Sequence, residues 1–419
     1  MDQLKLVGGN PLKGRVEVSG AKNAALPILI SSLLTAEPCD FERVPDLQDV
    51  RTALKLLKSF GAEILSPLSE GKLQIQTPKI TSVEAPYDLV KTMRASVVVL
   101  GPLLARHGKA KVSLPGGCAI GARPINYHLT GLEKLGARIT LEGGYVIAEA
   151  DRLKGNRVGF EFPSVGATEN LMMAACLAQG ESLLENCAKE PEIVDLARAL
   201  RSMGAEIEGE GTESIRIQGK DKLGKCKHSI IGDRIEAGTY LCAALATGGS
   251  VEVSGVEPAF LEAVLVKLEE AGAEITRRVS SIQLRSRGRP RAVDITTLPY
   301  PGFPTDMQAQ FMATMTVAAG PSLITETIFE NRIMHVSELS RLGAEITIRG
   351  NTAQVKGKDH LIGAPIMATD LRASASLLIG GLCAQGQTII SRIYHLDRGY
   401  ERVEEKFRKL GAKIERIKA

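Results

Sequence analysis

Six variants of one phrase recur along this chain: LKSFGAEI (57–64), LEKLGARI (132–139), LRSMGAEI (200–207), LEEAGAEI (268–275), LSRLGAEI (339–346) and FRKLGAKI (407–414). Successive glycines of these phrases lie 75, 68, 68, 71 and 68 residues apart. Self-similarity at a nearly fixed period is the signature of a repeated folding unit. The sequence therefore predicts six copies of one unit, each of about 70 residues.

The phrase also predicts the local structure of the unit. An amphipathic helix ends at the glycine, which takes the left-handed conformation of a helix C-cap, and a strand begins at the Ala-x-Ile that follows. Upstream lies a second helix that is rich in small residues and apolar on every face, as in 170–178, 238–246 and 373–380. A helix that is apolar all round is buried. With a strand such as 250–253 between the helices, we expect an α/β unit of the βαβαββ type, one helix inside and one outside.

Six such units exceed what a single core supports, so three plus three is the natural division. The polar, lysine-rich stretch 219–227 is the best candidate for a linker. The strand-like opening, residues 4–18, has no unit of its own, and we expect it to complete the last repeat. The predicted domains are therefore 19–229, and 1–18 together with 230–419.

Bulk composition indicates an ordinary globular protein, with 44% apolar residues, 24% charged residues and a net charge of +4. That charge is too small to indicate a nucleic-acid-binding protein. The arginine-rich stretch 277–291 is interpreted as a solvated hairpin, with a functional basic patch as the alternative. No segment has the roughly 18 continuous apolar residues of a membrane span, and the start lacks a signal peptide.

Seven cysteines without a Cys-x-x-Cys pair argue against a disulfide framework, and neither they nor the six scattered histidines form a metal motif. We therefore expect a cytoplasmic protein with no metal. No feature of the sequence indicates an oligomeric state.

Charged residues at the N-termini of the buried helices are the first candidates for chemistry, because these helix ends attract anions. They are Lys22-Asn23, Arg94, 168–170, Glu236, Thr305-Asp306 and 370–372. Asp370 is a good N-cap, and Thr305 with Gln308 matches a capping box. Capping does not explain the cations Lys22, Arg94 and Arg372, since a positive charge at a helix N-terminus opposes the helix dipole. We interpret these three as functional.

The loops after the middle strands form the second candidate site. Pro115-Gly-Gly-Cys-Ala-Ile-Gly-Ala-Arg-Pro124 is glycine-rich, and Arg123 would lower the pKa of a nearby Cys118 thiol. We favour a reactive Cys118 over a structural one, whereas Cys176, Cys242 and Cys383 are expected in the core. The corresponding loops carry Arg332 and Arg398. Such cations suit a substrate with phosphate and carboxylate groups, with Asp306 and Cys118 handling protons.

At these residues the chain resembles the UDP-N-acetylglucosamine enolpyruvyl transferases (1-carboxyvinyltransferases), which start bacterial peptidoglycan synthesis. The matching stretches run in order from 19 to 402: 19–24, 115–124, 164–168, 303–310, 330–332, 370–375 and 397–402. The resemblance implies a two-domain inside-out α/β barrel of six units whose lobes close over the substrates. It also implies transfer of the enolpyruvyl group of phosphoenolpyruvate to the 3′-hydroxyl of UDP-N-acetylglucosamine, through a tetrahedral ketal and without a cofactor.

The resemblance further implies a role for each matching residue. Cys118 would protonate the enol carbon and react with fosfomycin, and Asp306 would accept the sugar hydroxyl proton, with Lys22 and Arg398 completing the catalytic set. Phosphoenolpyruvate would contact Lys22, Asn23, Arg123, Arg332, Arg372 and Arg398. UDP-N-acetylglucosamine would contact Asn23, Arg94, Arg123, Pro124, Ile125, Asn126, Tyr127, Phe162, Pro163, Ser164, Val165, Asp306 and Ile328. Phe162-Pro163 departs from members that carry a lysine there, which puts individual uridine contacts in doubt.

Three alternatives stay open on the sequence. A transferase acting on shikimate phosphate would be favoured if Cys118 were only structural. An RNA-terminal phosphate cyclase has related units but needs a catalytic histidine, and none stands out. A catalytically dead binding module is disfavoured by the intact set Lys22, Cys118, Asp306 and Arg398.

Overall fold

The structure is a computed structural model that describes residues 2–91, 93–114 and 125–418. Within these residues the β-strands, in chain order, are β1 (Asp2–Val7), β2 (Lys13–Glu17), β3 (Cys39–Glu42), β4 (Glu63–Ser69), β5 (Lys72–Gln76), β6 (Glu84–Ala85), β7 (Lys109–Ser113), β8 (Arg138–Glu142), β9 (Tyr145–Glu149), β10 (Arg157–Gly159), β11 (Glu181–Glu185), β12 (Glu206–Glu208), β13 (Ser214–Gln218), β14 (Cys226–Ser229), β15 (Ser250–Ser254), β16 (Ala273–Arg277), β17 (Ser281–Ser286), β18 (Ile295–Thr296), β19 (Pro321–Thr325), β20 (Glu345–Arg349), β21 (Thr352–Lys356), β22 (Leu361–Ile362), β23 (Pro365–Met367), β24 (Ala384–Gln385), β25 (Gln387–Ser391) and β26 (Lys413–Lys418).

The α-helices of the same described residues are α1 (Lys22–Ile30), α2 (Gln48–Ser59), α3 (Tyr87–Val90), α4 (Leu100–His107), α5 (Asn126–Lys134), α6 (Val165–Ala175), α7 (Pro191–Ser202), α8 (Arg234–Ala246), α9 (Glu262–Glu270), α10 (Gln308–Met315), α11 (Val336–Arg341), α12 (Leu371–Cys383) and α13 (Val403–Lys409). Short 3₁₀ helices span Ser31–Leu34, Arg94–Val99, Pro258–Leu261, Thr305–Met307 and Ile393–Arg398. Among these described helices, none combines the length and apolar composition that a membrane span requires.

The predicted βαβαββ unit is confirmed, and the repeat around α6 shows it most simply. Strands β10 and β11 pair in parallel, from Arg157↔Leu183 to Gly159↔Glu185, with the buried helix α6 connecting them. The outer helix α7 follows, and the hairpin β12–β13 completes a sheet in the order β10-β11-β13-β12. Five further four-stranded sheets in the described residues have the same order of a parallel pair and an antiparallel pair, which is a hairpin in all but the sheet that pairs β1 with β26. A two-stranded sheet is formed by β22 and β24.

The six repeated glycines end the outer helices as predicted. Gly61, Gly136, Gly204, Gly272, Gly343 and Gly411 all have positive φ, between 87° and 104°. At Gly61 the backbone N–H of Ala62 donates to Leu57 O and that of Gly61 donates to Lys58 O, which is a Schellman motif. The next strand begins at once, so the glycine turns the chain from the outer helix into the hairpin.

Burial separates the two kinds of helix. In α6, nine of eleven residues are buried, and in α8 twelve of thirteen are. In the outer helix α2 the buried apolar residues are Val50, Ala53, Leu56 and Leu57, which lie on one face. Burying a leucine completely contributes about 2 kcal/mol. The apolar all-round sequences therefore form the cores, and the amphipathic ones cover the outside.

The described chain divides into two compact units, one of residues 2–19 with 232–418 and one of residues 20–91, 93–114 and 125–231. Each unit holds three of the four-stranded sheets and its own apolar core. The chain crosses after Ser19 and after Ile231, one and two residues beyond the boundaries predicted above.

Two expectations about the crossings need correction. The expectation for the opening is confirmed only in part: β1 completes the sheet of the last repeat by pairing with β25 and β26, but β2 pairs in parallel with β15 of the fourth repeat. The stretch 219–227 is not a linker either, since β14 begins at Cys226 and pairs in parallel with β3. The chain thus passes from one unit to the other between the first strand of a sheet and the start of the next buried helix. A polar composition does not mark these two positions.

The arginine-rich stretch forms the predicted solvated hairpin in part, as β16 and β17. Its cations pair with acids on the same surface: Arg277 with Glu262 and Glu269, and Arg287 with Glu274. Two of the six arginines of the stretch therefore have acidic partners in these pairs.

Replacing Gly204 by alanine tests the role of the repeated glycine. No atom would meet the added Cβ, but φ is 97° at this position. We expect Gly204→Ala to lower the free energy of unfolding by about 1–2 kcal/mol, the cost of a left-handed conformation for a residue with a Cβ. Urea denaturation followed by circular dichroism measures it. The control is Gly159→Ala, where there is equal space and φ is not positive, with an expected change within about 0.5 kcal/mol. Equal effects of the two changes would contradict this role.

Candidate active site

In the unit that contains residues 232–418, the parallel strand pairs determine where the candidate site residues lie. In the repeat of β18 and β19, the end of β18 leads to the helix start that holds Thr305 and Asp306, and the end of β19 leads to the loop with Arg332. In the last repeat, β23 leads to Arg372 at the start of α12, and β25 leads to the 3₁₀ helix that ends at Arg398. Helices α10 and α12 pack together. The carboxyl ends of parallel strands share one edge, so residues far apart in sequence meet there.

Asp306 lies between two arginines. Its Oδ1 accepts a hydrogen bond from Arg332 Nη2 at 2.7 Å. Its Oδ2 accepts from Arg372 Nε at 3.1 Å and from Arg372 Nη2 at 2.9 Å. The two guanidinium side chains are 7% and 4% exposed, whereas the carboxylate is 24% exposed. The structure thus brings together three residues that the sequence singled out separately.

The electrostatics of this cluster favour the ionised carboxylate. Burial by itself would raise the pKa of Asp306, but the charges and hydrogen bonds of Arg372 and Arg332 hold that pKa well below its usual range. Burial would likewise lower the pKa of Arg372, but Asp306, Tyr400 and Asp233 together more than reverse that effect, so the pKa is raised. In this arrangement Asp306 is a weak base, and it would become a stronger one only if the arginines turned to another anion.

Each arginine is also held from behind by a hydroxyl group. Arg332 Nη1 donates to Thr305 Oγ1 at 2.8 Å, and that hydroxyl donates to Glu326 Oε2 at 2.8 Å. Arg372 Nη1 donates to the hydroxyl of Tyr400 at 3.4 Å. The capping box predicted for Thr305 and Gln308 is therefore wrong: the Thr305 hydroxyl bonds Glu326 and does not cap the helix. Asp370, in contrast, caps α12 as predicted, accepting from the backbone N–H groups of Arg372 and Ala373 at 3.0 Å.

Histidines near this cluster stay neutral at ordinary pH. Burial lowers the pKa of His335 to about 4, although Asp370 acts in the opposite direction. Burial and the neighbouring Arg392 and Arg398 also lower the pKa of His395. The His335 ring is therefore uncharged above about pH 5, and the pKa of His395 is shifted in the same direction.

In the unit of residues 20–231, Lys22 is the first residue of the buried helix α1 and is 8% exposed. Its Nζ forms an ion pair with Asp49 Oδ2 at 2.7 Å, in the first turn of α2. Asn23 follows it and is partly buried. Helix α1 packs against the 3₁₀ helix that begins at Arg94. Asp49 thus places a carboxylate beside the lysine at the start of α1.

The two segments predicted to hold the nucleotide sugar are neighbours in the same unit. Ile125 precedes α5, and Asn126 and Tyr127 begin it, while Ser164 caps α6 by accepting from Ala167 N. Helices α5 and α6 pack together, and the buried His128 Nδ1 and Asn170 Nδ2 join them at 2.9 Å. The Tyr127 ring meets Phe160 edge to face, at 6.5 Å between centroids.

The segment after Phe160 is open to solvent. Phe162 is 42% exposed, and Pro163 and Val165 are partly buried. The exposed ring of Phe162 offers a stacking surface at the start of α6. In the other unit, Ile328 is partly buried, and its backbone N–H donates to Glu326 Oε1 at 2.7 Å.

Three predicted site residues, Cys118, Arg123 and Pro124, lie outside the described residues, as does the side chain of Arg94. The cysteines expected in the core are described: Cys176 and Cys242 are buried, and Cys383 is partly buried. Burial raises the pKa of each of these three thiols to about 12. They are therefore unreactive thiols at neutral pH.

Comparison with known proteins identifies the family. The family model of EPSP synthase (3-phosphoshikimate 1-carboxyvinyltransferase) matches residues 6–407. The chain belongs to this family of enolpyruvyl transferases. It is 58% identical over 421 residues, the whole of both chains, to a UDP-N-acetylglucosamine 1-carboxyvinyltransferase of Geobacter metallireducens.

Solved structures agree on the enolpyruvyl transferase fold. The enolpyruvyl transferase NikO from Streptomyces tendae matches with a TM-score of 0.89 at 24% identity, over 100% of this chain and 99% of that chain. An EPSP synthase from Acinetobacter baumannii matches with a TM-score of 0.76 at 19% identity, over 100% of both chains. The predicted fold class is thereby confirmed, with open sheets throughout the described residues and no closed β-barrel.

Several residues of this enolpyruvyl transferase were missed by sequence reasoning: Asp49, Glu190, Glu192, Glu326 and Tyr400. Burial, together with Glu192 and Glu190, raises the pKa of Glu169 well above its usual range, so Glu169 is a neutral acid. Glu326 accepts from Thr305, and Tyr400 accepts from Arg372, across long stretches of sequence, and no local pattern marks either residue. Across the described residues, no three His, Cys, Asp or Glu side chains converge as metal ligands do.

Removal of the Asp306 charge tests the cluster. We expect Asp306→Asn to lower the free energy of unfolding by about 3–5 kcal/mol, because two buried guanidinium groups lose their counter-ion. The pKa of Asp306 is lower in the folded state than in the unfolded state. This stabilisation is therefore complete above about pH 5 and is lost as the pH falls below about 4. Urea denaturation of both proteins from pH 8 to pH 3.5 measures the difference.

The matched control is Asp359→Asn, since Asp359 pairs with Arg289 but is 83% exposed. Its effect should stay within about 0.5 kcal/mol. A cost for Asp306→Asn no larger than this, or one independent of pH down to pH 3.5, would show that the ion pairs do not stabilise the fold.

Proposed function

We propose that this enolpyruvyl transferase moves the enolpyruvyl group of phosphoenolpyruvate to the 3′-hydroxyl of UDP-N-acetylglucosamine and releases phosphate. The observation that carries the proposal is the 58% identity, over the whole of both chains, to a transferase of that name. The cluster of Asp306 with Arg332 and Arg372 supports it, because it joins a proton acceptor to two anion-binding groups. The reaction is the first committed step of peptidoglycan synthesis.

The chemistry is an addition followed by an elimination. The sugar oxygen attacks C2 of phosphoenolpyruvate while C3 takes a proton, which gives a tetrahedral ketal that still carries the phosphate. The bond from C2 to the phosphate oxygen then breaks, and C3 gives up a proton to restore the double bond. Both steps need a proton acceptor, a proton donor and cations for the anionic groups. No redox change occurs, and the proposal includes no cofactor.

Arg332 and Arg372 hold the carboxylate of phosphoenolpyruvate in this proposal. A guanidinium group can bind a carboxylate through two parallel hydrogen bonds. In the structure Arg332 donates one hydrogen bond to Asp306, and Arg372 donates two. As the substrate carboxylate takes over part of this pairing, the pKa of Asp306 rises towards its ordinary range. The carboxylate then accepts the proton of the sugar 3′-hydroxyl. Substrate binding thus switches the base on.

The remaining predicted residues supply phosphate contacts, the proton donor and the sugar-nucleotide site. Phosphoenolpyruvate contacts Lys22, Asn23, Arg123 and Arg398. Its phosphate group is bound by Lys22 and Arg398 during the elimination step. Cys118 protonates C3. The nucleotide sugar lies along a set of residues at helix starts and loops: Asn23, Arg94, Arg123, Pro124, Ile125, Asn126, Tyr127, Phe162, Pro163, Ser164, Val165, Asp306 and Ile328.

The proposed partners are the two small-molecule substrates, without nucleic acid. A nucleotide sugar and phosphoenolpyruvate are both made in the cytoplasm, so the proposal places the enzyme there. Shikimate 3-phosphate is the competing acceptor, because the matching family model is that of 3-phosphoshikimate 1-carboxyvinyltransferase.

Phosphate release decides between the two acceptors. We expect phosphate to be released from phosphoenolpyruvate with UDP-N-acetylglucosamine and not with shikimate 3-phosphate, in a colorimetric assay with product mass measured in parallel. Asp306→Asn should lower kcat by about 10²–10⁴-fold, as is usual for loss of a positioned base. Release with shikimate 3-phosphate alone would overturn the proposal.

The reactive-thiol role of Cys118 predicts covalent labelling by fosfomycin, an epoxide that alkylates a thiolate. We expect one adduct per chain by intact-protein mass spectrometry, absent in Cys118→Ser and retained in Cys176→Ser. The second change removes a buried thiol with a high pKa. An adduct that survives Cys118→Ser would exclude this thiol as the reactive one.

A further inference from the structure

Glu326 is a buried carboxylate with a full set of hydrogen bonds. It follows β19 directly and is 3% exposed. Its Oε1 accepts from Thr297 Oγ1 at 2.8 Å and from the backbone N–H groups of Ile328 at 2.7 Å and Phe329 at 3.2 Å. Its Oε2 accepts from Thr305 Oγ1 at 2.8 Å. The two oxygens therefore have different tasks, one towards the loop backbone and one towards the active-site cluster.

The hydrogen bond that Glu326 Oε2 accepts fixes the orientation of the Thr305 hydroxyl group. A carboxylate only accepts, so the hydroxyl hydrogen of Thr305 must point at Glu326. The lone pairs of that hydroxyl then face Arg332, whose Nη1 donates to it at 2.8 Å. The other terminal nitrogen of Arg332 donates to Asp306 at 2.7 Å. A directed chain thus runs from Glu326 through Thr305 and Arg332 to Asp306.

The same carboxylate also fixes the loop that carries the arginine. Its bonds to Ile328 and Phe329 hold the backbone three and four residues before Arg332. The guanidinium carbon lies 5.4 Å from the centre of the Phe329 ring, and Arg332 N donates to Phe329 O at 3.4 Å. Glu326 therefore holds Arg332 both from its backbone and from its side chain.

We propose that Glu326 is a positioning residue that acts through the Thr305 hydroxyl to aim the Arg332 guanidinium at Asp306 and at the carboxylate of phosphoenolpyruvate. The proposal rests on the function given above, in which Arg332 binds that carboxylate and Asp306 is the base. Neither Glu326 nor Thr305 touches the reacting atoms. Their effect is on the affinity for one substrate and on the proton affinity of Asp306.

The competing explanation is that Glu326 only anchors the loop through Oε1. The two explanations differ at Thr305, which lies on the Oε2 side alone. Thr305→Val removes the hydroxyl at nearly constant volume, and Thr305→Ser keeps the hydroxyl but loses the methyl group. Thr325→Val is the matched control, since it removes a hydroxyl in β19, one residue before Glu326, that bonds Thr352 instead.

Glu326→Gln is the second variant. Its amide oxygen can still accept from Ile328 and Phe329, so the loop keeps its anchor. Its amide nitrogen, however, donates to Thr305 where the carboxylate accepted. The Thr305 hydrogen must then turn away from residue 326, and its orientation towards Arg332 is lost.

The first measurement is the carboxyl pKa of Asp306 in the substrate-free full-length protein, by ¹³C-detected NMR titration. Arg372 and Arg332 face this carboxylate, with Tyr400 and Asp233 acting on Arg372 and with His335 and Asp370 acting near Arg332. A loosened Arg332 withdraws positive charge, so this pKa should rise in Thr305→Val and Glu326→Gln. It should stay at the wild-type value in Thr305→Ser and Thr325→Val.

The second measurement is steady-state kinetics. Loss of a hydrogen bond to a charged group should raise KM for phosphoenolpyruvate about tenfold in Thr305→Val and Glu326→Gln. KM for UDP-N-acetylglucosamine should be unchanged, and the acidic limb of kcat/KM should move to higher pH. Loss of loop packing alone would not shift the acidic limb of the pH profile of kcat/KM.

The proposal is overturned if the pKa of Asp306 is unchanged in Thr305→Val and Glu326→Gln. It is also overturned if Thr305→Ser raises KM for phosphoenolpyruvate as much as Thr305→Val does. If Thr305→Val does not fold, Glu326→Gln decides. If the wild-type protein shows no turnover with UDP-N-acetylglucosamine, the proposed function fails, and the NMR titration still decides whether Glu326 orients Arg332.

Discussion

In four of the six repeats of the described residues a buried helix joins two parallel strands, and this connection fixes where charged residues can lie. Because the strands are parallel, the start of the helix and the loop after the second strand come to the same sheet edge. Asp306 and Arg332 meet in this way across 26 residues of sequence. The outer helices, their glycine caps and the hairpins serve to hold that edge in place.

Asp306 and its two arginines show how a buried edge can hold charge. A cation at the start of α12 opposes the helix dipole, and a guanidinium that is 4% exposed loses most of its hydration. Asp306 offsets both costs. Two guanidinium groups contact one carboxylate, so the three side chains together carry a net positive charge. In the proposed reaction these contacts keep Asp306 ionised and weakly basic until the substrate carboxylate binds.

The sequence predicted the repeat, the glycine caps, the buried helices and the positions of the charged residues, because each is encoded within a few neighbouring residues. Prediction from the sequence failed where the structure depends on strands or side chains that pair over long sequence separations. Residues 4–18 were expected to complete the last repeat alone but contribute to two sheets, and Thr305 looks like a helix cap but bonds Glu326, 21 residues later. The pairing of β18 with β19 brings those two residues together, and no local pattern reports it.

The use of a hydroxyl between Glu326 and Arg332 has a physical reason. A second carboxylate bonded directly to Arg332, beside Asp306, would add another negative charge next to the guanidinium group that an anionic substrate needs. A hydroxyl takes one donor, carries no charge and still transmits the direction set by the carboxylate behind it. Tyr400 stands in the same relation to Arg372, with its hydroxyl 2.9 Å from Thr239 Oγ1 and 3.3 Å from Gln310 Nε2. Burial raises the pKa of Tyr400, so this hydroxyl also stays neutral. Both arginines are thus oriented from behind by groups that leave their charge directed at Asp306.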